Sequence, residues 1–181
     1  MSFDEDIKIA GNKPSQEIKA RRAQIFQDEI VNSADSATAK RLGEIVAEKF
    51  CADNEEFSIA SDEFDSQMAM QRRLLLSFTA SISFERFCKS ESVAGIAQKS
   101  FIDSIKNIAG SLYDSSSDTG AFSFYYLAVR RGNEIERRVG QTFAMLCSHD
   151  GDPVYQELGE ALYCWFSSTI EKAVVELGLN K

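Results

Sequence analysis

Leu76-Ser77-Phe78-Thr79-Ala80-Ser81-Ile82-Ser83-Phe84 alternates apolar and small or polar residues at every step, the pattern of a half-buried β-strand. Its flanks say otherwise. Gln67–Leu74 and Glu85–Cys88 carry helix-compatible residues on either side, and no Gly or Pro interrupts the run. Ser and Thr inside a helix can donate back to the carbonyl four residues earlier, so the hydroxyls need no sheet. The stretch therefore reads as the middle of a helix that starts near Ser61 or Asp62, with Phe64, Met68, Leu75, Phe78 and Ile82 on one face. The competing reading is an α+β fold with strands near 76–84 and 122–130. Its second strand would come from the aromatic-rich Phe122–Val129, with Gly132-Asn133 as a hairpin turn.

Outward from this stretch the helical period dominates. On the N-terminal side, a charged helix is expected from Pro14 to Val31, and another from Ser36 to Ala52 with Leu42, Ile45, Val46 and Phe50 at helical spacing. The acidic Asp53–Phe57 reads as a connection. On the C-terminal side, Ser90-Glu91-Ser92 resembles a helix start and precedes a stripe of Val93, Ile96, Phe101, Ile105 and Ile108. Gly110–Gly120 reads as a long polar loop.

A fifth helix is expected over Phe122–Cys147, its seam formed by Tyr125, Val129, Gly132, Ile135, Val139, Phe143 and Leu146. A sixth begins at Asp152-Pro153, a cap followed by a proline suited to the first helical turn. It carries Tyr155, Leu158, Leu162, Trp165, Thr169, Ala173 and Leu177 at the same spacing. So short a link, Ser148–Asp152, makes the last two helices an antiparallel αα-hairpin. The fold expected is all-α: a single-domain bundle of about six helices ending in that hairpin. Residues 1–13 read as a flexible N-terminus and 14–181 as one helical domain, with 14–52 as a two-helix arm if the chain divides near Asp53–Glu56.

The 181 residues are 44% hydrophobic and 27% charged, an ordinary globular composition. Twenty Lys and Arg against 28 Asp and Glu leave a formal charge of −8, which opposes binding to phosphate backbones. Met1–Gly11 has acids and no apolar run, no stretch of 18 apolar residues occurs, and Cys51, Cys88, Cys147 and Cys164 form no Cys-x-x-Cys pair. These features lead to the expectation of a cytoplasmic protein without membrane spans, with four reduced cysteines buried as small hydrophobes.

Chemical motifs are scarce. Walker, dinucleotide-binding and nucleophile-elbow patterns are absent, and Asp114–Gly120 fails the calcium-loop test because its glycine falls at the seventh position and Tyr125 stands at the twelfth. The single histidine, His149, lies in His-Asp-Gly-Asp-Pro, where turn chemistry and capping account for each residue. No metal or cofactor is expected.

Two functional readings follow. The first is a protein-interaction or oligomerisation module, a homodimer or the partner of another protein. It rests on aromatics that encircle the last two helices, Phe122, Phe124, Tyr125 and Tyr126 on one and Tyr155, Tyr163, Trp165 and Phe166 on the other. The alternative is an enzyme or small-ligand binder with an interhelical pocket for an anionic molecule. Arg130 and Arg137, seven residues apart on one expected helix face, would hold the anion, Tyr125 or Tyr126 would line the wall, and His149 would titrate near neutrality.

Overall fold

The computed structural model describes residues 34–54, 66–110, 119–130 and 132–181. The expected helix over Pro14–Val31 and most of the expected Gly110–Gly120 loop lie outside the described residues. Among those described there are six helices and no strand. We number them α1 (34–54), α2 (Ser66–Phe87), α3 (Glu91–Ile108), α4 (Thr119–Arg130), α5 (Ile135–Leu146) and α6 (Pro153–Glu176). The all-α bundle is therefore the fold, and the α+β alternative is excluded, since 76–84 lies within α2 and 122–130 within α4. The one β-type feature among the described residues is an isolated antiparallel bridge between Cys88 and Asn180, which ties the chain's last residues to the α2–α3 link.

The alternation in Leu76–Phe84 has a tertiary cause. Helix α2 packs against α3, α4, α5 and α6, so it has almost no solvent face on which a polar stripe could appear. Leu74, Leu75, Leu76, Phe78, Thr79, Ala80 and Phe84 are all 0% exposed. The hydroxyls bond as a helix requires: Thr79 Oγ1 donates to Leu75 O (2.8 Å) and Ser81 Oγ to Ser77 O (3.3 Å). Ser83 and Ser167 meet across α2 and α6 at 3.3 Å.

Local signals at two helix starts act as expected. Ser90 caps α3 by accepting from Val93 N, and Asp152 caps α6 by accepting from Val154 N (2.9 Å) with Pro153 in the first turn. Helix α1 runs on through Asp53 and Asn54 rather than ending at Ala52. The reason is a buried partner: Arg72 of α2 ion-pairs with Asp53 and donates to Asn54 Oδ1 (3.3 Å), while Asn54 Nδ2 donates to Phe50 O (2.7 Å).

One expected helix is two. Phe122–Cys147 breaks after Arg130: Gly132 takes a left-handed φ of +78°, its N–H returns to Val129 O (3.2 Å), and Glu134 has φ +50°. Glycine at a left-handed position after the last helical residues is a common way to end a helix. Gly140 serves differently. A side chain there would collide with the α6 backbone at Gln156 O, and one at Gly159 would meet the Phe143 ring, so these two glycines allow α5 and α6 to close up. That contact also selects the buried stripe of α6, which runs Gly159, Leu162, Tyr163, Phe166, Ser167, Ile170, Ala173 and Val174. Trp165, expected on the seam, is 43% exposed. None of the cysteines is in a disulfide: Cys51, Cys88 and Cys147 are buried and Cys164 is exposed.

Candidate functional site

Helix α4, Thr-Gly-Ala-Phe-Ser-Phe-Tyr-Tyr-Leu-Ala-Val-Arg, carries no charge before its last residue. Ala121, Tyr125 and Ala128, spaced at helical intervals, are buried against the bundle. Phe78 of α2 is the anchor. Tyr125 stacks on it at 5.2 Å, while Phe122 and Tyr126 meet it edge-on at 5.7 and 5.3 Å. A helix with so many apolar residues cannot turn all of them inward. Phe124, Tyr126 and Leu127 remain 48, 46 and 57% exposed.

A groove opens on each flank of α4. On one flank Phe124, Leu127 and Ala128 face Gln141, Thr142 and Met145 of α5 across a cavity of about 360 Å³, with Arg138 and Asp150 of opposite sign in its wall. Arg138 Nη1 is buried there without a hydrogen-bond partner. The other flank is larger, about 680 Å³, and three helices build it. Ser81, Phe84 and Glu85 come from α2, Phe122 and Tyr126 from α4. Helix α3 supplies Glu91, Ala94, Gly95 and Gln98, one continuous face at i, i+3, i+4 and i+7. Burial, and then the Glu85 charge, pushes the Tyr126 phenol above its ordinary range.

The five residues singled out from the sequence do not converge. Arg130 ends α4 and Arg137 lies in α5, so the break at Gly132 removes the shared face that a continuous helix would have given them. Arg137 is two-thirds exposed and pairs with Glu134 at 3.5 Å. Tyr125 is a core residue, 0% exposed, its hydroxyl without a partner and its ionisation strongly opposed by burial. Tyr126 alone lines the larger cavity. His149, in the α5–α6 link, stacks on Tyr155 (3.8 Å, 9° between planes).

Sequence reasoning passed over Glu85, Glu91, Gln98, Gly95 and Phe122 as wall residues. The only local signal was Gly95, a lone glycine inside an otherwise good helix.

Two of the thiols are shifted away from the reactive form. Burial pushes the Cys88 thiol up to about 11 against an opposing pull from Lys181, and the Cys164 thiol is raised by burial and then by Glu136 and Glu160. Reactive cysteines need the reverse shift. Among the described residues no group of three His, Cys, Asp or Glu side chains is placed to share a metal ion, and no helix is long and apolar enough to cross a membrane. No protein-family model matches the chain, and comparison with curated proteins and with solved structures finds no match.

Proposed function

We propose that the protein is an interaction module that pairs with a second copy of itself through the outer face of α4. The observation that carries this reading is α4 itself, an edge helix that is apolar on its inner face and also exposes Phe124 and Leu127 beside Met145. Exposed aromatic and aliphatic side chains grouped around one groove are the usual mark of a surface that another surface covers. The groove wall also carries its own complement, since Arg138 and Asp150 have opposite signs. A two-fold axis would set each against the other's counterpart, as an isologous contact requires.

The anion-site reading of Arg130, Arg137, Tyr125, Tyr126 and His149 has less behind it, because Tyr125 is sealed in the core and Arg137, on another helix, is already paired. A cytoplasmic location accords with four cysteines outside any disulfide, and weak nucleic-acid binding with the charge of −8.

Light scattering coupled to size exclusion tests the pairing. At about 100 µM, where even a micromolar dimer is populated, the protein is expected to elute at twice its chain mass, and Leu127→Glu to return it to one chain mass with unchanged helicity. A wild-type monomer at that concentration, or a dimer indifferent to Leu127→Glu, would overturn the reading.

A further inference from the structure

We infer that the larger cavity, between α2, α3 and α4, is a binding site for a small organic cation: an ammonium group carried on an aryl or alkyl body. Its volume, about 680 Å³, lies in the range of sites that enclose small molecules. Its position also keeps it distinct from the proposed pairing surface. Tyr126 and Phe124 are two residues apart on one helix, hence about 160° apart around it.

The wall chemistry selects the charge. Among the described residues that line it, the two formal charges are both negative, Glu85 and Glu91, and none is Lys, Arg or His. Neither carboxylate makes an ion pair with a described residue. Lys181 Nζ donates to the backbone carbonyl of Glu85 at 3.5 Å. An ammonium donates only, so it suits a wall whose free groups accept.

Ring faces select the rest of the ligand. Phe122 and Tyr126 border the space. Aromatic faces attract a cation within about 6 Å of the ring centroid and bury an apolar body equally well.

Gly95 strengthens the case by contrast. Side chains added at Gly43 or Gly140 would strike a neighbouring helix, so close packing explains those glycines. A Cβ added at Gly95 would meet nothing within 4 Å. Glycine in a helix interior is disfavoured relative to alanine, and here the bare backbone leaves the α3 wall of the cavity open.

Three probes of one shape and different charge test the proposal by calorimetry on the full chain: 4-phenylbutylammonium, 4-phenylbutanol and 4-phenylbutanoate. The ammonium is expected to bind roughly tenfold or more tighter than the alcohol, the scale of one added charge-assisted contact, and the carboxylate not at all. Replacing both acids, Glu85→Gln with Glu91→Gln, should bring the ammonium down to the alcohol's affinity and leave the alcohol unchanged. Gly95→Leu should abolish binding of both while melting no lower than wild type. Equal binding of all three probes would overturn the charge assignment. No binding by any probe, or ammonium binding that survives Gly95→Leu, would overturn the site.

Discussion

Two aromatic clusters in this bundle use similar side chains to different ends. In the first, Phe101 meets Phe50 at 5.7 Å and Phe84 at 6.1 Å, and Phe50 meets Phe166 at 6.5 Å. Its four rings come from four helices, α1, α2, α3 and α6, and every one is 0% exposed. The second gathers on Phe78, but its other three rings, Phe122, Tyr125 and Tyr126, all come from the 12 residues of α4. When each helix contributes one ring, all can point to a common centre. When one short helix contributes three, only part of its circumference faces inward and the remainder spills outward. The sealed cluster is also fastened at its rim by Arg72, Asp53 and Asn54. The open one ends in two grooves.

The largest effect expected from this difference is in stability. Phe101→Ala should cost about 3–5 kcal/mol, the usual range for deleting a ring from a packed core, because α1, α2 and α3 all lose a partner. Tyr126→Ala, at the surface end of the other cluster, should stay within about 1 kcal/mol. Urea unfolding of the two variants measures both. Equal losses would mean that the open cluster is as integral to the core as the sealed one, and the contrast would fail.

Glycines sharpen the comparison on a smaller scale. Gly140 lies where α5 and α6 touch, and Gly95 borders the larger groove. Gly140→Ala forces a methyl against the α6 backbone and should destabilise by about 1–3 kcal/mol, as overpacking generally does. Gly95→Ala enters open space and should stabilise by up to about 1 kcal/mol through helix propensity. Thermal melts of the two single variants should therefore move in opposite directions. A loss of stability in Gly95→Ala would show that the groove wall is already filled.

How much of this could be read beforehand depended on how local its cause was. The caps at Ser90 and Asp152 were legible because a capping side chain and the N–H it serves lie within three residues of each other. The end of α4 was written in Gly132-Asn133, but the apolar spacing from Tyr125 to Leu146 continued across it in register and masked the stop. On α6 two candidate stripes lie one residue apart. What decides between them is Gly159 under the Phe143 ring, a fact about a different helix. The larger groove was hidden more thoroughly still. Ser81, Gly95 and Tyr126 belong to stretches whose convergence only the packing of α3 and α4 around α2 produces. Charge drew the sequence reading to arginines, whereas the charges that line the groove are carboxylates on residues that look like ordinary solvated helix positions.

Tyr125 gives the smallest and most specific test of where the sealed part of α4 ends. Its ring is a core ring, stacked on Phe78, but its hydroxyl is buried with no hydrogen-bond partner. A phenol that gave up water for nothing on folding is a net cost, and removing the oxygen keeps the ring and its stacking. Tyr125→Phe should therefore stabilise the protein by about 1 kcal/mol, the low end of the penalty for an unsatisfied buried polar group. The alkaline limb of the pH profile should change as well. Burial raises the folded-state ionisation of Tyr125 far above that of an unfolded tyrosine, so the neutral phenol's contribution is whole below about pH 10 and is lost as pH climbs beyond it. Without the hydroxyl that part of the loss disappears, and the variant's advantage should widen above about pH 10. A variant less stable than wild type at neutral pH would mean that the hydroxyl is satisfied after all, and that α4 is held to the bundle by a polar contact as well as by its rings.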